Sequence, residues 1–292
     1  MEPGSSHSFD VLRVSRESIT HLEDAVATEE PLEIQLGYTR RGGIPVTRNV
    51  AITMRTPGDD AALAAGFLFT EGILRHPGQV ADIAPVPDAD GRKARGNTIR
   101  VTLRDGVEVD LRALERNFYT TSSCGVCGKT SLEAVSLAGG LQLDPDRPLL
   151  DQATVLRLPQ LLREAQTVFD QTGGLHGAAL FSPDGNLIAV KEDVGRHNAV
   201  DKLVGAQFLA GRTPLSSSIL LVSGRASFEL MQKAVMAGIP VLAAVGAPSS
   251  LAVEVARQFG ATLLGFVRDG RFNIYSGGQR ITELRTDAAA AT

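Results

Sequence analysis

Between residues 32 and 54 apolar and polar positions alternate, through Leu32, Ile34 and Leu36 and again through Val46, Val50 and Ile52, with Arg41, Gly42 and Gly43 between them. A period of two marks half-buried strands, and the glycines supply turn chemistry, so the pattern predicts an antiparallel hairpin. Pro57, Gly58, Asp59 and Asp60 then break the chain and offer a helix N-cap before Leu63, Ala64, Phe67, Leu68 and Leu74, an apolar stripe at helical spacing. A helix lying over the sheet is predicted. Alternation returns at residues 98–103 and 107–111 around Asp105 and Gly106, a strong hairpin signal, whereas residues 88–97 read as an exposed loop.

Pro145, Pro148 and neighbouring aspartates mark a connector, after which Leu158, Leu161, Leu162, Ala165, Val168 and Phe169 predict one helix ended by Gly173 and Gly174. Strands at 175–181 and 187–191 flank a Pro183-Asp184-Gly185 turn, and a helix follows at 198–209. The next stretch reads βαβαβ, with strands at 218–222, 240–245 and 262–267 and helices at 227–237 and 249–259. Short crossovers of this kind give parallel, right-handed pairing. The organisation predicted is a disordered N-terminus over residues 1–12, an α+β domain over 13–118, an α/β domain over 119–285 and a disordered tail over 286–292.

Composition narrows the function classes. The chain has 292 residues and a formal net charge of -4, so it carries no global field for nucleic acid or an anionic membrane. Its longest apolar runs fall well short of the ~20 residues that cross a bilayer, and the polar first eight residues lack the regions of a secretory signal. A cytoplasmic protein without nucleic-acid or membrane partners is expected.

Only two cysteines occur, Cys124 and Cys127, so no disulfide framework holds this fold. They sit in Thr120-Thr121-Ser122-Ser123-Cys124-Gly125-Val126-Cys127-Gly128-Lys129, where small residues leave sulfur accessible and a helix can begin at Thr130. A helix N-terminus and Lys129 favour thiolate. Lowering a thiol pKa from about 8.5 to about 6.5 raises the thiolate fraction ~12-fold near neutral pH but costs ~10-fold in intrinsic nucleophilicity. Attack gains almost nothing; the thiolate improves as a leaving group, which suits a residue that accepts a sulfur atom and releases it. Three other readings compete. Structural zinc needs two further ligands from His7, His21, His76, His176 and His197. A thioredoxin-type dithiol belongs at the end of a first strand rather than mid-chain. A zinc deaminase needs H-x-E before P-C-x-x-C, whereas His176-Gly177-Ala178 lacks the glutamate, Ser123 replaces the proline and the order is reversed.

Three further stretches carry candidate chemistry. The run from Glu192 through Asp193, Val194, Gly195, Arg196 and His197 to Asn198 places acids, Arg and His between a strand and a helix, where His197 can bind phosphate or manage a proton. Ser223, Gly224 and Arg225 follow a strand and open a helix, suiting an anionic ligand as well as an ordinary Ser cap. Phe266, Val267, Arg268, Asp269, Gly270 and Arg271 put two guanidinium groups at the end of the last parallel strand, able to clamp diphosphate. His176, within an apolar strand, reads as a satisfied core histidine.

Residues 31–36, the 54–74 segment with Gly66-Phe67-Leu68 and Glu71-Gly72-Ile73, the Ser122 to Gly128 loop, Gly174-Leu175-His176, residues 193–201 and Ser223-Gly224-Arg225 together resemble the FdhD formate dehydrogenase accessory sulfurtransferase family over about residues 31–276. The resemblance implies a relay in which a cysteine desulfurase hands sulfur to Cys124, and the protein passes it to the bis-molybdopterin guanine dinucleotide form of the molybdenum cofactor for formate dehydrogenase. Cys127 matches the second cysteine of the motif. The cofactor-contacting stretch falls on Phe266, Val267, Arg268, Asp269, Gly270 and Arg271, guanine nucleotides can mimic the ligand, and no side chain holds a metal. The resemblance also implies a cytidine-deaminase-like fold for the larger domain and a homodimer. The alternative is a chaperone that holds the cofactor without transferring sulfur.

Overall fold

The computed structural model describes residues 4–40, 42–87, 96–109, 135 and 139–284. The cysteine loop, the helix predicted from Thr130 apart from Val135, residues 110–111 of the second predicted hairpin and most of the 88–97 loop lie outside the described residues. The described chain is mixed α/β, with a two-stranded ribbon, a four-stranded sheet and a six-stranded sheet.

The ribbon corrects an expectation. Residues 6–12 are not disordered but belong to β1 (Ser6–Val14), which pairs antiparallel with β2 (Ile19–Ala27) in register from Ser6 opposite Ala27 to Val14 opposite Ile19. Between them the Ser15 hydroxyl accepts from the amides of Glu17 and Ser18 and closes the turn. Backbone pairing carries this element; its side chains are largely exposed, so no buried stripe announces it.

The predicted hairpin forms as β3 (Glu30–Arg40) and β4 (Ile44–Arg55), with Leu32, Ile34, Leu36 and Tyr38 buried on one face of β3. The helix follows as α1 (Asp60–Thr70), but Asp59 stands at φ 56° and makes no side-chain cap. Its carboxylate instead accepts from Lys191 Nζ at 2.6 Å. The second predicted hairpin is also corrected. β6 (Thr98–Leu103) pairs antiparallel with the upstream β5 (Val80–Pro85) and parallel with β3. Asp105 accepts from Thr39 at 2.8 Å, and Val107 and Val109 pack against the core rather than extending a strand.

The helix predicted around Leu158 is two helices, α2 (Gln152–Ala165) and α3 (Thr167–Thr172), broken at Gln166 where ψ reaches 81°. Asp151 caps α2 by accepting from the Ala153 amide at 2.8 Å. The restart at α3 is capped from a distance, because Glu192 accepts from the amides of Val168 and Phe169 at 3.0 and 2.8 Å.

The remaining elements follow the predicted pattern: β7 (His176–Phe181), β8 (Leu187–Asp193), α4 (Arg196–Leu209), β9 (Ile219–Val222), α5 (Phe228–Met236), β10 (Val241–Ala244), α6 (Ser250–Gln258), β11 (Thr262–Arg268) and β12 (Arg271–Ser276). The sheet order is β12-β11-β10-β9-β7-β8, with β9, β10 and β11 parallel as expected. Alternation divides the sheet into two apolar faces. Ala179, Phe181, Ile219, Leu221, Val241 and Ala243 face Val155, Leu158 and Leu162 of α2. Ala178, Leu180, Leu220, Val222, Leu242 and Ala244 join a larger cluster that runs through α4, α5 and α6 to α1 and on to Leu32 and Ile34. No described helix is long and apolar enough to cross a membrane.

Candidate functional site

The parallel strands end together, and the turns that leave them are bonded into a shelf. The amide of Gly246, after β10, donates to Gly224 O, after β9, at 2.9 Å; the amide of Phe266 donates to Gly246 O at 3.0 Å. A side chain at Gly246 would bring its first carbon 3.0 Å from Gly224 O, a tight contact, so the close approach favours glycine there. Ser223 is fixed twice to Gly177: its amide donates to Gly177 O and its hydroxyl accepts from the Gly177 amide, both at 2.9 Å.

Helix α4 brings His197 to this shelf. Its Nε2 lies 3.2 Å from Ser227 Oγ and 3.7 Å from Glu229. Ser227 therefore turns its hydroxyl to the histidine and makes no side-chain cap on α5, contrary to the ordinary Ser-cap reading. The contact with His197, ahead of that with Ser227, holds the Glu229 carboxyl down at about 2, with partial burial opposing the shift. Since a depressed carboxylate stabilises the fold above its ordinary pKa and loses that contribution as pH falls toward its folded value, any effect of this exposed pair appears only in acid. In an NMR titration the Glu229 carboxyl should show a midpoint near 2, moving up toward 4.5 in His197→Ala. A midpoint unchanged by His197→Ala would disprove the contact.

His176 is not a satisfied core residue. It is half-buried at the start of β7, with its ring close under Gly224. Burial, then the positive groups of Arg196 and His197, lower its pKa, so it is neutral near pH 7 and offers one donor and one acceptor. Beside it, Arg196 Nε is buried without a hydrogen-bond partner. The sequence signals for this pair were the Gly174-Leu175-His176 and Arg196-His197 strings, but neither shows that the two meet.

The rest of the 192–198 run is structural. Asp193 is fully buried and paired with Lys202 at 2.8 Å, while Lys202 also donates to Thr56 O at 2.7 Å. Asn198 donates to Met54 O at 2.7 Å and to Asp193 Oδ1 at 3.0 Å. These groups bolt the end of β4 onto the β8–α4 turn and set the angle at which α4 presents His197.

At the far end of the shelf Phe266 has φ 53° and Asp269 φ 54°; Asp tolerates this left-handed region, but it is rare for a side chain as bulky as Phe. The Phe266 amide stays bonded to Gly246 across a register shift between Gly265 and Arg268, and such held strain clusters at ligand sites. Arg268 lies over the Phe266 ring at 5.7 Å and 3.7 Å from Asp269, and it pairs with Arg271 across the β11–β12 turn. Val267 is buried in the second core. Phe266 is thus joined to Gly224 through Gly246, whereas Arg225, Arg268, Asp269, Gly270 and Arg271 are exposed. Cys124 and Cys127 lie outside the described residues.

The sequence profile of the FdhD/NarQ family matches residues 27–282. The chain belongs to the FdhD/NarQ family. Its relatives include a protein of Streptomyces avermitilis named sulfur carrier protein FdhD, 52% identical over 282 residues that make up 96% of each chain. Its namesake in Mycolicibacterium paratuberculosis is 50% identical, across 91% of this chain and 98% of that one. Among solved structures, a candidate formate dehydrogenase accessory protein from Desulfotalea psychrophila superposes with a TM-score of 0.71 at 25% identity, covering 95% of this chain and 99% of that one. The family match spans the chain from the end of β2 to the last turn after β12.

Proposed function

We propose that this protein is a sulfurtransferase: Cys124 takes a sulfane sulfur from a cysteine desulfurase as a persulfide and passes it to the molybdenum cofactor, as bis-molybdopterin guanine dinucleotide, destined for formate dehydrogenase. The observation that carries the reading is identity of about half, along nearly the whole chain, with proteins named sulfur carriers, in a sequence whose only thiols are Cys124 and Cys127. Release of the terminal sulfur leaves Cys124 as thiolate, the better leaving group that its Gly-bearing loop and Lys129 favour. Cys127 is the secondary cysteine, available to relay or to protect the persulfide. The protein works in the cytoplasm as a homodimer, and its larger sheet with helices on both faces is that of a cytidine-deaminase-like domain without catalytic zinc.

The substrate's nucleotide ends are anionic and aromatic, and the strained Phe266 turn offers matching groups: a ring, two guanidinium groups and backbone amides at the end of a parallel sheet. Arg268 and Arg271 clamp diphosphate; Ser223, Gly224 and Arg225 form the neighbouring wall, and His197, set by Ser227 and Glu229, faces it from α4. GDP is the practical probe. In Arg268→Ala with Arg271→Ala, calorimetric GDP affinity should fall by about a hundredfold or more, since each of the two lost charge-assisted bonds costs about 1.5–3 kcal/mol. Sulfur acquisition by the same variant should be intact, while activation of apo-formate dehydrogenase should fail. Unaltered GDP binding would remove the hairpin from the site. Activation by Cys124→Ala at the native level would leave the holding chaperone as the better account.

A further inference from the structure

The ribbon β1–β2 is tied to the body at its base and stands clear of it at its tip. At the base Ser5 and Thr28 are buried, and the Thr28 amide donates to Ser5 O at 3.0 Å. There β2 rests against α3, and a first side-chain carbon on Gly174 would lie 3.4 Å from Ala27 Cβ. Toward the tip, residues 12–21 are all exposed. A two-stranded hairpin alone is marginal in water, and this one leaves Phe9, Leu12, Val14 and Ile19 each more than half exposed. The family profile begins at residue 27, so family membership does not account for the ribbon.

Its open side is an edge strand. Among the described strands β1 pairs with β2 alone, so its other edge presents unpaired N–H and C=O groups along nine residues. Exposed edges are ordinarily blunted by lysine, proline or a bulge. The run Ser6-His7-Ser8-Phe9-Asp10-Val11-Leu12-Arg13-Val14 has no lysine or proline, and its register with β2 runs without a shift. Such an edge is a template for another strand, and its side chains decide which strand and which register fit.

We propose that β1 pairs antiparallel with β1 of a second copy of this chain, about a two-fold axis at Val11, so that two ribbons become one continuous sheet of four strands. With Val11 opposite Val11, Phe9 of each copy stands opposite Arg13 of the other, and Asp10 opposite Leu12. Residues paired across β1 and β2 share a face, so one face of the joint sheet carries the rows Leu22-Val11-Val11-Leu22 and Asp24-Phe9-Arg13-Thr20. The Arg13 guanidinium covers the exposed Phe9 ring and reaches toward Asp24, twice by symmetry. On the other face Val14 lies opposite Ser8. Centred one residue earlier, the pairing would set Asp10 directly against Asp10; centred one residue later, it would leave Phe9 opposite the turn at Ser15. The outer strands of the joint sheet are the two β2 strands, each lying against its own α3. This surface supplies the contact for the homodimer of the proposed function and rests on that reading.

The mass of the full chain in solution should be measured by sedimentation equilibrium, in native protein and in Val11→Lys, which sets two ammonium groups side by side at the axis. Native protein should have the mass of two chains, and Val11→Lys the mass of one at the same concentration. Directly opposite residues of an antiparallel pair have Cα atoms about 4.5–5.5 Å apart, within disulfide range, so Val11→Cys should cross-link on mild oxidation, with peptide mapping joining the introduced thiol to its own copy. Arg13→Cys, opposite Phe9, should not. Unfolding midpoints are measured alongside; if Val11→Lys does not fold, the cross-link decides. A native monomer overturns the proposal and the homodimer reading together. A dimer unchanged in Val11→Lys, no cross-link in Val11→Cys, or one formed as readily in Arg13→Cys, overturns the ribbon contact and leaves the homodimer standing.

Discussion

Gly205→Ala will deprive the chain of its fold. Helices α1 and α4 cross with backbone against backbone: a first side-chain carbon on Gly205 would lie 1.8 Å from Ala62 O, and one on Gly66 would lie 1.9 Å from Asp201 O. Both obstacles are main-chain atoms, so no rotamer change relieves them. The helices would have to part, opening the cluster that joins the four-stranded sheet to α4 and the six-stranded sheet. Overpacking of side chains alone costs about 1–3 kcal/mol, and rigid backbone on both sides puts this substitution at or above that upper bound. The expected result is loss of soluble protein or a large fall in the urea midpoint. Gly37→Ala is the control, because its nearest neighbour would be Arg100 Cδ at 3.5 Å, an ordinary contact. Gly66→Ala should behave like Gly205→Ala, and the pair together little worse than either, because one separation of the helices serves both. A Gly205→Ala protein within 1 kcal/mol of native, by linear extrapolation, would refute the tight crossing.

The second large effect lies one turn away. Lys233 on α5 is paired with Asp201 on α4 at 2.9 Å and donates to Thr70 on α1 at 3.0 Å, all three groups being buried. Burial alone would lower the Lys233 pKa, but Asp201 and Glu71 more than reverse this and hold it above its ordinary value. A raised lysine contributes stability that is present below its unfolded pKa and lost only as pH rises through the folded one, so Lys233 carries its charge at neutral pH. Lys233→Met keeps the apolar stem and strands a buried carboxylate, which should cost about 3–5 kcal/mol. Burial already pushes the Asp201 carboxyl up, and without its lysine that push goes unopposed by the nearest cation. A carboxyl with a raised folded pKa takes up its proton more readily in the fold, so Lys233→Met should regain stability as pH falls. Adding Asp201→Leu should restore most of the loss and remove that pH dependence. A single variant with native stability at pH 7 would show that the pair does not matter.

What the sequence reveals depends on how far apart the deciding residues lie. The strands β9, β10 and β11 are short continuous apolar runs between turn residues, and the β3–β4 hairpin alternates cleanly, so both are readable locally. The break at Gln166 is not, because the groups that cap the restarted helix belong to Glu192 on another strand. The ribbon β1–β2 escapes notice because it buries few side chains, and β6 takes its antiparallel partner from β5 across a long loop rather than across Asp105 and Gly106. Gly66, although part of the Gly66-Phe67-Leu68 string, and Gly205 show no reason to be glycine until the helices are crossed. At the site, Arg268 and Arg271 are visible as charge at a strand end, but the strain at Phe266 and the meeting of His176 with Arg196 and His197 are products of the tertiary fold. Glu229 and Ser227, which position His197, carry no motif at all.

The central claim is that Cys124 carries sulfur. Intact-mass spectrometry under non-reducing conditions, after incubation with a cysteine desulfurase and cysteine and followed by peptide mapping, tests it without needing the acceptor. The account predicts one added sulfur per chain, mapped to Cys124, released by reductant and missing from Cys124→Ala. A native protein that gains no sulfur while the desulfurase turns over, or one whose added sulfur persists in Cys124→Ala, would contradict it.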